Sequence, residues 1–450
     1  MNPPDEALGW GDELREIVHL AWPAVLSQIG MMAMGVVDLL LVGRLGEGAM
    51  ASVGLGSTWT FGTAIVVLGT ASGLDPLLSQ AFGAGDRAGA GRTMVRGGLL
   101  LLLLTIPVAL LHLAAGPGLR WMHQPEAVIP DADLYCRILI PGLPAMILFN
   151  LARQTLQADG RMIPATIAVI VGNVFNLAVG WTLVYGHFGA PALGVAGVGI
   201  ATSLGRWVML GAIVWLGRDL FREIWPRTGP TFSAAGIGQL LGTGLPVGFQ
   251  VGLEVWAFTG STLLVGAFGA TAVAAHMVAL NLASLSFMVP MGISAAAATR
   301  VGNLLGAGHP WTRAGWTALG LGVSVMSLSA VIFASFPTTL ARLYAPTDPA
   351  VVALAATLLP LAAIFQLFDG TQVVCFGVLR GAGDTRVPAL ANLVGYYAIG
   401  LPIGAWLAFG GWGPQGQWVG LVIGLAVVAG LLVLRLRWTA ARGGFRVATV

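Results

Sequence analysis

Lysine is absent from this chain of 450 residues, and all 22 of its permanently charged basic side chains are arginines. Charge of either sign is scarce, because 9% of the residues are charged, compared with about a quarter in a soluble domain. Hydrophobic residues make up 56% of the chain. This balance predicts a membrane protein. The arginines are dispersed between apolar segments, so they do not form the basic patch that nucleic-acid binding needs.

The chain also has few residues of the kinds that hold metals or form disulfides. Its two cysteines, Cys136 and Cys375, lie far apart in or near apolar segments, which favours buried thiols over a disulfide or a metal pair. Its six histidines are scattered and form no HExxH motif or other ligand cluster. We therefore expect no catalytic residues, no cofactor and no bound metal, except Na+ where it serves as a coupling ion.

A basic secretory leader is missing as well. The first twenty residues hold five acids against the single Arg15, whereas a leader begins with positive charge before its apolar stretch. We expect no cleavable signal peptide, but instead an amphipathic cytoplasmic helix that runs into the first membrane span.

Long apolar segments dominate the rest of the chain. A helix needs about 20 apolar residues to cross a bilayer, and twelve segments meet this requirement. They are 19–45, 50–82, 93–116, 133–157, 163–187, 193–217, 236–268, 271–304, 314–340, 351–379, 387–409 and 415–436. Several are longer than the bilayer requires, so we expect tilted or protruding helices.

The arginines fall mostly on one set of loops and chain ends. That set carries Arg15, Arg87, Arg92, Arg96, Arg161, Arg218, Arg222, Arg227, Arg300, Arg313, Arg386, Arg435, Arg437, Arg442 and Arg446. The opposite set carries Arg44, Arg120, Arg137 and Arg342. By the positive-inside rule the first set is cytoplasmic, so we expect both termini in the cytoplasm and the protein in the plasma (inner) membrane. Arg206 falls near mid-span, where we interpret it as the partner of a buried acid or carbonyl, with a functional cation as the alternative.

The chain repeats itself at an offset of 223 residues. Leu40-Leu41-Val42-Gly43 matches Leu263-Leu264-Val265-Gly266, Pro23 matches Pro246, and Gly83-Ala84-Gly85 matches Gly306-Ala307-Gly308 without a gap. Each half holds six spans, so both halves have the same orientation in the membrane. The predicted fold is an all-α integral membrane protein with twelve transmembrane helices in two parallel-repeat six-helix bundles around a central cavity. We expect an N-terminal lobe at 1–220, a cytoplasmic linker at 221–235 and a C-terminal lobe at 236–450.

Four acids lie inside segments that otherwise read as lipid-buried helices: Asp38, Asp75, Glu254 and Asp369. A charge at bilayer depth costs about 2.5–3.5 kcal/mol on insertion scales, so an intramembrane acid marks a candidate ion or proton path. The repeat pairs Asp38, Glu254 and Asp369 with neutral residues, whereas a purely structural contact would suit both halves equally. This asymmetry favours a functional role for those three. For Asp75, a gate and a structural role near the interface stay equally open.

These features together resemble the multidrug and toxic compound extrusion (MATE) family. The segment VDLLLVGRLGEGAMASVGLG (37–56) is similar to the first-helix motif of that family, and GLDPLLSQAFGAGD (73–86) is similar to its second-helix exit. The matching segments of the second half are LPVGFQVGLEVWAF (245–258), MVPMGISAAAATRVGNLLGAG (288–308), FQLFDGTQVVCFGVLRGAGDTRVP (365–388) and GQWVG (416–420). The resemblance covers nearly the whole chain, and the order and spacing of the motifs carry it.

The resemblance implies where a coupling ion would bind. Glu254 and Asp369 occupy the places of the paired acids of the NorM-like branch, and Asp38 that of a first-helix acid shared more widely. Another branch has a polar cation site in its N-terminal lobe, and the residues that match it or lie nearby are Asn150, Asn173, Asn176 and Thr202. Where that branch has a further acid, this chain has Gly180, which argues against a complete sodium site. These asparagines have a structural alternative, as hydrogen bonds between helices.

The predicted function is a secondary active antiporter that exports amphipathic, cationic organic compounds in exchange for H+ or Na+ by alternating access. The candidate residues of the substrate path are Trp256, Phe287, Met288 and Phe365, since a cation gains about 0.5–2 kcal/mol over an aromatic face. We expect a small-molecule substrate and the lipid bilayer as partners, no nucleic acid, and a functional monomer. Two alternatives stay open. A flippase for lipid-linked oligosaccharide or peptidoglycan precursors would carry several basic residues in its cavity, and a membrane-embedded transferase is the enzyme alternative.

The arginine asymmetry generates a topology prediction. Small tags at residues 1 and 450 should both be protected from membrane-impermeant reagents in intact cells and become reactive when the cells are opened. Labelling of either tag from outside would contradict the assigned orientation.

Overall fold

The structure is a computed structural model, and it describes residues 9–226 and 234–441. Every long element of this part is a helix. The helices are α1 (Trp10–Gly43), α2 (Glu47–Ser72), α3 (Asp75–Gly83), α4 (Arg87–Leu113), α5 (Ala115–Trp121), α6 (Ile129–Leu139), α7 (Leu143–Ala158), α8 (Ile163–Tyr185), α9 (Val195–Leu216), α10 (Arg218–Ile224), α11 (Ala234–Gly266), α12 (Ala270–Gly306), α13 (Thr312–Ser335), α14 (Pro337–Tyr344), α15 (Pro349–Gly381), α16 (Arg386–Asn392), α17 (Leu401–Leu407) and α18 (Gly413–Ala441).

The number of membrane spans agrees with the sequence. Ten helical stretches of the described residues are long and apolar enough to cross a bilayer. The last of them, Arg386–Ala441, has 56 residues and holds two spans, because the backbone turns at Gly411 (φ 108°) and Gly413 (φ 58°). Helix α11, with 33 residues, adds another. The all-α, multi-pass fold is therefore confirmed, and the total of twelve is the predicted one.

Helix boundaries follow local chemistry. Asp86 caps α4 by accepting a hydrogen bond from the Gly89 N–H at 2.7 Å. Asp348 caps α15 in the same way, accepting from the N–H groups of Ala350 and Val351, and Pro349 follows at the first helical position. Helix α1 begins at Trp10 and runs unbroken into the first span, as expected from the sequence. The predicted linker lies partly at the end of α10, and residues 227–233 are outside the described residues.

Three spans contain breaks or irregular turns in their helices. The second span breaks at Gly73 and continues as α3, with Pro76 in its first turn. The fourth span changes from α6 to α7 through a single 3₁₀ turn, Ile140–Gly142. The eleventh span contains two π-helical stretches, Leu393–Gly400 and Ala408–Trp412. Such π stretches rotate the residues that follow and are common at functional sites.

The described residues form two compact units. The N-terminal unit comprises 26–226 and 234–248, and the C-terminal unit comprises 9–25 and 249–441. The boundaries lie inside α1 and inside α11, and they are separated by the repeat offset (248 − 25 = 223). Each of these two helices therefore belongs to one unit at its start and to the other for the rest of its length. The lobes expected from the sequence, 1–220 and 236–450, assign the starts of α1 and α11 to the opposite units. The expected lobe boundaries stay a prediction.

The starts of α1 and α11 make close backbone contacts, and the two contacts are at equivalent places in the two halves of the repeat. In the N-terminal unit, a Cβ atom added at Gly69 of α2 would lie 2.8 Å from the Cα of Gly248 on α11. In the C-terminal unit, a Cβ atom added at Gly292 of α12 would lie 2.7 Å from the backbone N of Val25 on α1. Gly69 and Gly292 correspond under the offset, as do Val25 and Gly248. Small residues at these points allow the backbones to approach closely, as is usual between membrane helices.

A buried ion pair fastens the start of α1 to α12 within the C-terminal unit. The Arg300 Nε and Nη2 atoms donate to the two carboxylate oxygens of Glu13 at 2.7 and 3.0 Å. Both side chains are buried, with 3% and 7% of their surface exposed for Glu13 and Arg300. This bidentate geometry satisfies both carboxylate oxygens, which is the condition under which a buried pair is tolerated.

Breaking this pair should destabilise the protein strongly. We expect Glu13→Gln and Arg300→Met each to cost about 3–5 kcal/mol, because each leaves one buried charge without a partner. Thermal unfolding of the detergent-purified protein measures the effect. The double variant Glu13→Gln/Arg300→Met should recover part of the loss.

The matched control is the exposed pair Arg137–Asp133, joined at 2.8 Å. Its variant Arg137→Gln should change stability by roughly 1 kcal/mol or less. Equal effects at Arg300 and Arg137 would contradict a special role for the buried pair.

Candidate functional site

Asp38 is the centre of a buried polar cluster in the N-terminal unit. It lies in the last two turns of α1, with 3% of its surface exposed. The Thr202 hydroxyl on α9 donates to its Oδ2 atom at 2.7 Å, and the Tyr135 hydroxyl on α6 donates to the same atom at 3.4 Å. Asn176 on α8 donates to Thr202 Oγ1 at 3.1 Å. Three helices, α6, α8 and α9, thus supply the neutral hydrogen-bonding groups around this carboxylate of α1.

Two oxygens in this cluster are left without a partner. Asp38 Oδ1 and Asn176 Oδ1 are buried, and neither has a hydrogen bond among the described residues. A buried acceptor without a donor is costly, so it marks a position where a proton or another donor can enter.

Glu254 is the centre of a second cluster, in the C-terminal unit. Gln372 Nε2 on α15 donates to its Oε1 at 3.0 Å, and Asn392 Nδ2 on α16 lies 3.5 Å from its Oε2. Asp369, on α15 and 4% exposed, is within electrostatic range of Glu254. The Glu254 side chain itself stays partly exposed, so it is the accessible member of the pair. Two acids that interact electrostatically at bilayer depth are stabilised when a proton or a cation cancels part of their charge.

The Gln372 amide is oriented by the eleventh span. Tyr396, fully buried in the π-helical stretch Leu393–Gly400, exchanges hydrogen bonds with Gln372 at 3.3 and 3.4 Å. Asn392, just before this stretch, also donates to the carbonyl of Gln250 at 3.1 Å. These contacts hold the amide donors toward Glu254, so the local unwinding of the span is part of the site.

An aromatic cluster packs beside the Glu254 site. Phe365 contacts Phe258 and Trp418 edge-on, with ring centroids 5.9 and 5.8 Å apart. The Trp418 indole N–H donates to His276 Nδ1 at 3.0 Å. Because the indole is only a donor, this bond assigns the proton of a neutral His276 to Nε2, which faces the Thr262 hydroxyl at 3.2 Å. The His276 ring is therefore held in one tautomer by its two neighbours.

The residues expected in the N-terminal polar site divide into two groups. Asn176 and Thr202 are brought to Asp38, as described above. Asn150 and Asn173 are not, because their amides are used elsewhere: Asn150 donates to Met146 O at 2.9 Å and Asn173 donates to Gly30 O at 2.9 Å.

Gly180 also lies against this cluster, where an added Cβ atom would lie 2.5 Å from Leu41 Cδ1. The backbone there leaves no room for a side chain without movement of Leu41. Asp75 begins α3 after the break at Gly73 and is partly buried, and its backbone carbonyl accepts from Ser79 Oγ at 2.7 Å. Neither its gating nor its structural role is decided by this contact.

The candidate residues of the substrate path differ in exposure. Trp256 is 41% exposed, and Phe287 and Met288 are partly buried. Phe365 is 2% exposed within the aromatic cluster, so a substrate would reach it only if the cluster opened. The assignment of these four residues stays a prediction.

Sequence reasoning missed Tyr135, Asn392 and Tyr396, which complete the two clusters. A signal existed for the tyrosines, since the chain has only five and two of them contact the acid clusters. Tyr396 also corresponds to Asn173 under the repeat offset, so both halves carry a polar residue at that place. For Asn392, the sequence gave no signal that its side chain would lie beside Glu254.

A multi-pass, twelve-span fold with a parallel repeat and buried acids in both units defines a membrane transporter. The family model MatE matches the chain twice, at residues 23–182 and 246–406, and the two matches begin 223 residues apart (246 − 23 = 223). The chain belongs to this family, the MATE transporters, and the recognition made from the sequence is confirmed.

Curated relatives agree over nearly the full length. The chain is 39% identical over 430 residues to the multidrug resistance protein NorM of Burkholderia vietnamiensis, covering 93% of each chain. It is 37% identical to the multidrug resistance protein PmpM of Pseudomonas aeruginosa, covering 98% of this chain and 96% of that protein. Among solved structures, the eukaryotic MATE transporter AtDTX14 matches with a TM-score of 0.89 and 26% identity, over 97% of this chain and 99% of that one. MATE transporters are not a class of enzymes.

The Asp38 cluster generates a test of its own. Thr202→Val removes the 2.7 Å donor and keeps the side-chain shape, so we expect a cost of about 1.5–3 kcal/mol, the value of a hydrogen bond to a charged group. Thermal unfolding of the purified protein measures it. Thr182→Val is the control, because the Thr182 hydroxyl bonds only its own helix at Ala178 O, and it should change stability much less. An equal effect of the two variants would mean that Asp38 does not depend on Thr202.

Proposed function

We propose that this protein is a secondary active antiporter that exports amphipathic, cationic organic compounds in exchange for H+ or Na+. The observation that carries the proposal is the Glu254 cluster, where a partly exposed acid has neutral amide donors and a buried acid, Asp369, lies within electrostatic range of it. Such a pair holds either a proton, a metal cation or an organic cation, and binding one disfavours the others. Competition for one site is the chemical requirement of exchange.

The amide donors stabilise the ionised form of Glu254, which can then bind a coupling ion or an organic cation. Gln372 and Asn392 satisfy Glu254 when it is ionised, so that the carboxylate persists at bilayer depth long enough to attract a cation. Entry of a proton or Na+ cancels the negative charge and releases the organic cation. A membrane potential of about 100 mV adds roughly 2.3 kcal/mol for each positive charge that moves inward.

The identity of the relatives supports the substrate class. Proteins named multidrug resistance proteins match this chain over more than nine tenths of their length. We propose amphipathic drugs, toxins or metabolites as substrates, with Trp256, Phe287 and Met288 as candidate contacts and Phe365 as an aromatic behind them. The proposal includes two lobes that alternate access, both termini in the cytoplasm, the plasma (inner) membrane as location and a functional monomer.

A lipid-precursor flippase is the second candidate. A pyrophosphate headgroup would need several cations within the spans, but Arg206 is the main mid-span candidate and buried acids outnumber it. The clusters described above therefore favour a cationic cargo over an anionic one.

The decisive experiment is transport by the purified protein in sealed proteoliposomes. A pH gradient and a Na+ gradient are imposed separately, and uptake of a fluorescent organic cation is recorded. We expect Glu254→Gln and Asp369→Asn each to lower gradient-driven transport at least roughly tenfold, because each removes one of the charges that the exchanged cations compete for. Asp38→Asn should also lower transport, but less.

Glu126→Gln is the matched control, because Glu126 is an exposed acid paired with Arg120 at 3.3 Å. It should transport at the wild-type rate. Folding of all variants is checked by their elution as a single species in detergent. Wild-type rates in both Glu254→Gln and Asp369→Asn would sink the assignment of the coupling site, and translocation of a lipid-linked sugar without ion dependence would support the flippase.

A further inference from the structure

Arg206 has no role in the exchange described above, although it is a cation placed near mid-span. It lies on α9 one helical turn after Thr202, which donates to Asp38. Residues four apart share one face of a helix, and helical side chains lean toward the start of their helix. The Arg206 side chain therefore extends from its own turn toward the level of the Asp38 cluster.

The turn that carries Arg206 is fixed against the fourth span. Its neighbours on both sides bond that span: Ser203 Oγ donates to Ile138 O at 2.7 Å, and Trp207 Nε1 donates to Pro141 O at 3.0 Å. These two hydrogen bonds fix the position of the helical turn that carries Arg206.

The Arg206 side chain itself passes close to Gly142. A Cβ atom added at Gly142 would lie 3.2 Å from Arg206 Cδ, so glycine leaves room for the arginine stem there. The space beside the fourth span is therefore shaped for this side chain.

The Arg206 guanidinium and the Asp38 carboxylate interact electrostatically without forming an ion pair or hydrogen bond with each other, and each keeps one polar atom without a partner among the described residues. Arg206 Nη1 and Asp38 Oδ1 are both buried, and neither has a hydrogen-bond partner in the part of the chain that the structure describes. Asp38 and Tyr135 both lie within electrostatic range of Arg206, as does His112 of α4. Opposite charges separated in a medium of low dielectric still attract strongly, so Arg206 compensates Asp38 without touching it.

The two acid clusters consequently differ in net charge. The Asp38 cluster holds one carboxylate and one guanidinium. The Glu254 cluster holds two carboxylates: the amides of Asn392 and Gln372 act on Glu254, and the charge of Glu254 acts on Asp369. A metal cation that approaches the first cluster meets a fixed positive charge, whereas one that approaches the second meets only negative charge.

We propose that Arg206 is the built-in counter-cation of Asp38 and that it excludes metal cations from the N-terminal unit. A coupling metal cation then binds in the C-terminal unit, at Glu254 and Asp369, and this last part rests on the function proposed above. Arg206 is a positioning and selectivity residue, and it contacts neither substrate nor ion.

The test is direct binding of Na+ to purified protein, without transport. To isolate the N-terminal cluster, the background variant Glu254→Gln/Asp369→Asn is used throughout. Thermal unfolding is recorded in NaCl and in N-methyl-D-glucamine chloride at equal ionic strength. The background variant should show no difference between the salts. Adding Arg206→Gln leaves Asp38 uncompensated, so the melting temperature should rise in NaCl by about 2 °C or more through ligand linkage.

Three further variants separate charge from packing. Arg206→Lys keeps the charge and should behave like the background. Arg206→Gln combined with Asp38→Asn removes both charges and should lose the response to Na+. Arg153→Gln, at a buried arginine of the same unit that donates to Asn150 at 3.0 Å, should stay insensitive.

A lack of response to Na+ in Arg206→Gln, with the protein folded, would overturn the proposal. A response in the background variant that Asp38→Asn abolishes would overturn it too, because Na+ would then bind beside Arg206. Should Arg206→Gln fail to fold, Arg206→Met is measured in its place under the same criteria. Since the measurement needs no substrate, it stands even if the wild-type protein carries nothing under either gradient, a result that would instead defeat the proposed function.

Discussion

The structure depends on one constraint: a carboxylate at bilayer depth must find its compensation inside the protein. Each unit answers this constraint differently. Asp38 receives hydroxyl donors and a cation at a distance, whereas Glu254 receives amide donors and lies near a second acid. The first carboxylate has a guanidinium within electrostatic range, whereas the second has another carboxylate near it. The two acids therefore differ in the charges that surround them.

The irregular stretches of the spans serve this compensation. A regular helix offers its backbone groups to itself, and its side chains repeat at a fixed angle. The 3₁₀ turn in the fourth span and the π-helical stretches in the eleventh change that angle. Tyr135 and Asn392 lie just before such stretches and contact the two acids, and Tyr396 lies inside one and bonds Gln372. Breaks of this kind are tolerated in lipid because neighbouring helices satisfy the freed groups.

The two halves of the repeat share their helix-packing contacts but carry different charged residues. The glycine contacts that hold the ends of α1 and α11 are equivalent under the offset of 223 residues. The charges are not equivalent: the buried pair of Glu13 and Arg300 has Gly236 and Leu77 in the corresponding places. Packing contacts are thus shared between the halves, whereas the buried ion pair is present in one half and has neutral residues in the corresponding places of the other.

The sequence by itself determined the membrane class, the spans, the repeat and the three buried acids. It could do so because apolar run length, periodic matches and the cost of an intramembrane charge are local properties. Tertiary structure decided which polar residues meet. Asn150 and Asn176 look alike in sequence, yet one bonds its own helix and the other reaches Thr202 beside Asp38. Arg206 could have been the hydrogen-bonded partner of an acid, but it lies within electrostatic range of Asp38 while its Nη1 atom has no hydrogen-bond partner among the described residues. Such outcomes depend on helix rotation and on the packing of residues more than a hundred positions apart, which no local pattern records.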